Sequence, residues 1–368
     1  MAKNIFIAAT GQNAGKTTVS LGLIEAFRQR GSRVSFIKPV GQRYVEILRG
    51  EPPVLKEFDE DAVLMEEVCE LACELEDMSP VTVGRGFTRD YILGRQTEDL
   101  AARIVEAYGR VAAEADVVVI EGTGHAGVGS VIGLSNAHVA SLLDAPVLLV
   151  APGGIGRPID EVALNLEFFH RENVQVLGVV LNRVIPEKAA DIREIAGKGL
   201  ERLGLRLLGV VPDEPVLSGP TIGQILSETR GELLHGQHML GNRVDRIVVG
   251  AMTPHQFLDY CAPHVLVITG GDREDLILAA MTCCDHVSSG ASVSGLVLTG
   301  GIRPHPSILN LLLGTEIPVI VVETDSYETA SRIHDLTAKI MPSDSAKVAM
   351  VRHLVRTNVA TAAIYETM

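Results

Sequence analysis

Tryptophan is absent from this sequence, and aromatic residues make up only 4% of it. A core in such a chain has to be assembled from Val, Ile, Leu and Ala. Basic residues are in deficit, with 32 Lys and Arg against 46 Asp and Glu and a formal net charge of −14. That argues against a general nucleic-acid binder, which needs a basic footprint, but leaves room for a local basic pocket. The cysteines are Cys69, Cys73, Cys261, Cys283 and Cys284, and no spacing among them makes a structural zinc pattern. Cys69 and Cys73 read as small packing residues. No run of about 20 apolar residues offers a membrane span. Met1-Ala2-Lys3-Asn4 leads directly into a strand, without the layout of a signal peptide. The expectation is a cytoplasmic protein with reduced thiols, bound to neither membrane nor nucleic acid.

What is present is a 368-residue chain, 46% hydrophobic and 21% charged, long enough for two domains. β-branched runs between Gly-rich turns predict parallel strands buried on both faces. Strands over 4–9, 33–38, 117–120, 147–151, 176–181 and 207–211 alternate with helices over 17–30, 59–75, 96–115, 137–143, 158–171 and 189–203. That rhythm predicts an α/β fold, a mostly parallel sheet with helices on both faces. Pro and Gly cluster at 212–220. The expected domains are therefore 1–212 and a smaller α/β unit at 213–368 that ends in a helix.

Five constellations carry chemistry. After the first strand comes Thr10-Gly11-Gln12-Asn13-Ala14-Gly15-Lys16-Thr17-Thr18. Small residues let backbone N–H groups approach phosphates, and the helix N-terminus adds free donors and a favourable dipole. Lys16 supplies charge for the β and γ phosphates, and the Thr17 hydroxyl can hold magnesium. The strict phosphate-loop pattern fails only at its first position, which is Thr10 rather than Gly. Glu121 ends a buried strand, on the edge where α/β sheets bind ligands; it either binds magnesium or caps a turn. Lys38 ends another strand, either beside transferred phosphate or at the surface. Asp61 is either a second magnesium carboxylate or one of several acids complementing a helix dipole. Asn182, at a late strand end, can pair with adenine. Turns at 153–158, 269–273 and 298–302 are further glycine clusters; in the first, Arg157 either reaches phosphate or sits in a plain loop, and the second, where Asp272 caps a helix, either binds an anion or a ribose or is a turn needing small residues.

Together these features resemble the dethiobiotin synthetase-like group of P-loop proteins, over roughly residues 3–211. The resemblance implies an ATP site with Lys16 and Lys38 on the phosphates. Thr17, Asp61 and Glu121 would hold Mg2+, Asn182 would read the adenine, and Pro212 would lie near the base. Thr10, Gly11, Asn13, Ala14, Gly15 and Thr18 would complete the cradle. It also implies a homodimer or higher homo-oligomer. Two departures tell against the biotin-pathway reaction: Gly11 stands where that group has an acid, and Gln42 where it has a substrate-binding Ser. The segments Ile247–Thr253 and Val267–Asp275 resemble a DRTGG domain, with a second small-molecule ligand as an expectation. The pairing resembles the N-terminal regulatory region of long phosphotransacetylases, without their acyltransferase domain. Two functions follow: a nucleotide-responsive regulator that binds ATP, or an ATP-dependent enzyme activating a carboxylate or carbamate.

Overall fold

A computed structural model describes residues 2–49, 53–283, 292–336, 338–342 and 344–368; Met1 and Cys284, read above, lie outside them. The chain forms two compact units, Met1–Asp213 with Ser345–Met368, and Glu214–Asp344. The first unit begins β1 (Lys3–Ala9), α1 (Lys16–Gln29), β2 (Val34–Ile37), β3 (Val40–Gly41), β4 (Tyr44–Arg49) and β5 (Val54–Asp59). It continues α2 (Glu60–Cys69), α3 (Leu75–Met78), β6 (Val81–Thr82), α4 (Phe87–Ile92), α5 (Leu100–Ala112) and β7 (Val117–Glu121). Then come α6 (Asn136–Leu142), β8 (Val147–Pro152), α7 (Arg157–Arg171), β9 (Val176–Val184), α8 (Ala189–Glu201) and β10 (Leu207–Pro212).

Six of these strands form one sheet in the order β10-β9-β8-β1-β7-β2, every pair parallel. Its strands are buried on both faces, as the β-branched runs require. Phe6, Ala8, Val118, Ile120 and Leu149 face α5 to α8 through Ile104, Val139, Leu166 and Leu200. The alternate residues point to the opposite face, where α1 packs against β1, β7 and β2. The chain leaves β1 toward β2 and β7 and later passes to β8 on its other side. Such a reversal opens a crevice beyond the carboxyl end of β1.

Two local expectations are corrected. The helix expected over 59–75 ends at Cys69, because Glu70 turns into the left-handed region at φ 48°. The sequence reading also missed the antiparallel β4–β5 hairpin. Its strands are largely exposed and set Glu46 directly opposite Glu57, so no buried alternation announces it.

The second unit comprises α9 (Pro215–Ser218), α10 (Ile222–Thr229), β11 (Glu232–His235), β12 (Arg246–Val249), α11 (Pro254–Leu258) and β13 (Val265–Gly270). α12 (Glu274–Cys283), β14 (Val293–Thr299), α13 (Pro306–Leu312), β15 (Val319–Val321) and α14 (Ser326–Asp335) complete it. Its sheet runs β11-β15-β14-β13-β12, parallel except for the edge strand β11. Phe257, Leu276 and Leu312 cover one face; Ile222, Ile225 and Ile333 cover the other.

α15 (Ser345–Asn358) and α16 (Thr361–Thr367) were expected with this second domain, but they belong to the first unit. α15 packs on α1 and β10, supplying helical cover that a parallel sheet needs on both faces. Cys261 and Cys283 stand near each other, their Cα atoms 6.3 Å apart. The packing of α11 against α12 brings them together.

Among the described residues, no helix is long and apolar enough to cross a membrane. Burial pushes the Cys69 thiol up to about 11, against the opposing pull of Arg352 and Arg28. At pH 8 the thiol is therefore protonated and a poor nucleophile. Iodoacetamide should modify the Cys69 peptide far more slowly in the folded chain than in denaturant; similar rates would contradict this assignment.

Candidate phosphate-binding site

The loop from Thr10 to Gly15 follows β1 and opens α1. Its turn uses two left-handed residues, Asn13 at φ 57° and Gly15 at φ 95°. Gly15 is required twice over, since a Cβ there would also lie 1.9 Å from Asn182 Nδ2. At Gly11 a Cβ would meet no atom within 4 Å, so the space beside it is open. Thr10 N–H donates to the Val150 carbonyl at 3.0 Å, and Asn182 Nδ2 donates to the Ala14 carbonyl at 2.9 Å. Asn182 is thus packed against the loop rather than standing apart from it. Pro212 closes β10 opposite Val184. Ala14 and Lys16 are buried, and Thr18 is half-buried on the first turn of α1.

At the first turn of α1 the structure brings Thr17, Lys38, Asp61 and Glu121 together. Thr17 Oγ1 lies 3.1 Å from Asp61 Oδ1 and 3.1 Å from Glu121 Oε1, so its one proton serves one carboxylate at a time. Lys38 Nζ donates to Glu121 Oε1 at 2.9 Å and to Asp61 Oδ2, with Asp59 Oδ1 at 3.8 Å. Lys38, Asp59 and Glu121 are all buried. Burial opposes the Lys38 charge, but Asp59, Asp61 and Glu121 outweigh it and hold the ammonium well above the ordinary lysine range. Glu121 Oε2 is buried with no hydrogen-bond partner. Leaving such an oxygen bare is costly, and a hydrated cation would satisfy it.

The donor set therefore fits magnesium through the Thr17 hydroxyl, with carboxylates reached largely through water. Among the described residues, no group of three or more His, Cys, Asp or Glu is arranged to hold a metal directly. The carboxylates converge on Lys38 instead.

Sequence reasoning missed several residues that shape this site. Asp59 accepts from Asp61 N–H at 2.9 Å and caps α2, which fixes where Asp61 stands. Its signal was visible in the acidic run at 59–61, but its position next to Lys38 was not. Asn165 accepts from Ala126 N–H at 2.8 Å and donates to the Thr10 carbonyl at 3.4 Å, tying two loops of the site together. Asn136 accepts from Thr123 N–H at 3.0 Å and donates to the Thr123 and His125 carbonyls, both at 2.7 Å. Isolated amides on helices give no local signal. Arg157, expected in a plain loop, opens α7 and is held by Glu161 at 2.7 Å.

The glycine turns of the second unit have a packing explanation. A Cβ at Gly271 would lie 1.7 Å from the Ile302 carbonyl oxygen, so the turns at 270–271 and 300–302 press together. The Arg273 guanidinium is occupied by Asp275 at 2.9 Å and the Met252 carbonyl at 2.9 Å.

A parallel sheet with a reversal at β1, a left-handed turn and a Gly-Lys-Thr helix start defines a P-loop NTPase fold. The chain belongs to a family described as AAA domain, whose profile matches residues 3–221, and a DRTGG domain matches residues 224–336. Among curated relatives, the phosphate acetyltransferase of Pseudomonas aeruginosa is 30% identical over 371 residues, covering 95% of this chain and 50% of the relative. That of Nitrosomonas europaea is 27% identical over 368 residues, covering 96% and 50%. The chain thus spans about half the length of these curated relatives, consistent with their N-terminal region. Among solved structures, the septum site-determining protein MinD of Pyrococcus horikoshii, complexed with Mg-ADP, is 16% identical. It aligns with a TM-score of 0.34, covering 59% of this chain and 84% of that one. The CBS and DRTGG regulatory region of Clostridium perfringens pyrophosphatase, complexed with diadenosine tetraphosphate, is 16% identical with a TM-score of 0.27, covering 48% and 76%.

Proposed function

We propose that this chain binds Mg-ATP at the loop Thr10–Thr18 and acts as a nucleotide-responsive regulatory protein, related to the N-terminal region of phosphate acetyltransferases. The observation that carries this reading is the meeting of Thr17, Lys38, Asp61 and Glu121 at the N-terminus of α1, with Glu121 Oε2 left bare. In this reading the backbone N–H groups of 11–15 and Lys16 take the phosphates. Thr17, Asp61 and Glu121 hold magnesium, which when bound neutralises phosphate charge. Asn182 reads the adenine while its Nδ2 keeps the loop in place, and Pro212 lines the base. We assign the protein to the cytoplasm and to a homo-oligomer, with a second small-molecule ligand in the DRTGG-like unit.

The alternative is an ATP-dependent synthetase that activates a carboxylate or carbamate. Lys38 favours it, because a second buried lysine beside the phosphate loop can stabilise a transferring phosphoryl group. Two measurements decide. Mg-ATP should raise the melting temperature of the full chain and leave Lys16→Ala unmoved; no shift in either would sink the nucleotide reading. Steady magnesium-dependent phosphate release, lost in Lys16→Ala, would replace the regulator with the enzyme.

A further inference from the structure

The strict phosphate-loop pattern opens with glycine, and here it opens with Thr10. The loop residues with positive φ are Asn13 and Gly15, and Thr10 is not among them, so the backbone there does not call for glycine. Thr10 is buried. Packing does not hold the loop beyond it: Gln12 and Asn13 are exposed, and a Cβ on Gly11 would meet no atom within 4 Å.

Hydrogen bonds hold Thr10 at three atoms instead, and two of them end on α7. Its N–H donates to the Val150 carbonyl of β8 at 3.0 Å. Its hydroxyl donates to Glu161 Oε2 at 3.3 Å, and its carbonyl accepts from Asn165 Nδ2 at 3.4 Å. Glu161 and Asn165 stand four residues apart, on one face of α7. Arg157, one turn earlier, holds Glu161 by its other oxygen, Oε1, at 2.7 Å. Asn165 Oδ1 accepts from Ala126 N–H at 2.8 Å, so the same amide also holds the loop that follows Glu121. Val162, Leu166 and Phe169 of α7 are buried in the core beneath the sheet, which fixes the helix that carries these groups.

We propose that Glu161 and Asn165 are positioning residues for the phosphate loop, with Glu161 acting through the Thr10 hydroxyl. Threonine in the glycine position is then a tether rather than a defect in the motif. A loop held at its first residue presents its N–H groups already oriented, so binding costs less in ordering the loop. A carboxylate so near to phosphates repels them, and the Arg157 guanidinium on its other oxygen offsets that charge. The effect on binding rests on the nucleotide reading above; the tether itself does not.

The test is calorimetric titration with Mg-ATP of the full chain carrying Thr10→Val, Thr10→Ser, Glu161→Ala and the double variant Thr10→Val with Glu161→Ala. Thr10→Val removes the hydroxyl and should weaken binding by about tenfold. Thr10→Ser, which keeps the hydroxyl, should recover most of that loss. In the Glu161→Ala background Thr10→Val should cost no more than about twofold, because its partner has gone. An equal loss in both backgrounds overturns the positioning role, since the hydroxyl would then meet the nucleotide directly. Undiminished binding by Thr10→Val overturns it as well. Thr10→Gly, which restores the strict pattern, should bind more weakly than wild type, and equal or tighter binding contradicts the tether. Hydrogen–deuterium exchange without nucleotide reads the tether by itself: residues 11–16 should exchange faster in Thr10→Val than in wild type, and no faster in the double variant than in Glu161→Ala. A wild-type chain that binds no nucleotide sinks the functional reading, and exchange then judges the tether. Rates at 11–16 unmoved by Thr10→Val overturn it.

Discussion

Lys38→Ala should melt well below the wild-type chain, and Mg-ATP should recover part of the loss. The Lys38 ammonium is buried among Asp59, Asp61 and Glu121. Removing it takes away the ammonium on which these three carboxylates converge. Breaking a buried pair by deleting one partner costs about 3–5 kcal/mol. For a unit of this size each kcal/mol lowers the melting temperature by about 2–4 °C. Lys38→Met keeps most of the side-chain volume and should be nearly as unstable as Lys38→Ala, because charge rather than packing is lost. Bound magnesium brings positive charge back to the same carboxylates, so the ligand-induced shift should be larger in both variants than in wild type. A Lys38→Ala chain with wild-type melting would mean that the carboxylates do not depend on this lysine.

Deleting residues 345–368 should abolish cooperative folding of the first unit. Val348, Val351, Leu354, Val355, Val359 and Ile364 are all buried there. Each buried aliphatic side chain contributes roughly 1.5–3 kcal/mol, and a whole domain holds only about 5–15 kcal/mol of net stability. The deletion also strips α1 of the Val355 contact at Gly22, and strips Lys3 of the Tyr365 carbonyl it reaches at 2.7 Å. The Phe27–Tyr365 ring contact, with centroids 5.5 Å apart, goes as well. Circular dichroism of the chain 1–344 should show a broad, low transition for the first unit, and Mg-ATP should not rescue it. A sharp transition within a few degrees of wild type would show that the C-terminal helices are dispensable.

The site was legible where its signal is local. Gly15-Lys16-Thr17 follows closely on a buried strand, and Lys38 and Glu121 stand at the ends of strands on the same edge, so a position at a strand end reported the shared crevice. Asp61 needed more: its place is set by the Asp59 cap, which the bare acidic run does not distinguish from ordinary dipole compensation. The return of α15 and α16 was not legible. Their apolar stripe announces burial but not the partner, and their nearest neighbours in sequence belong to the other unit. The glycines at 270–271 and 300–301 are ambiguous in sequence for a similar reason. Close packing of two turns and close approach of a ligand demand the same residue, and only the Ile302 carbonyl beside Gly271 separates them.

Calorimetric titration of the full chain with ATP, with and without magnesium and alongside Lys16→Ala, tests the central claim most directly. The account predicts saturable binding that magnesium tightens and that Lys16→Ala removes. Absence of binding in the wild-type chain, or equal binding by Lys16→Ala, would contradict the assignment of Thr10–Thr18 as the phosphate-binding loop.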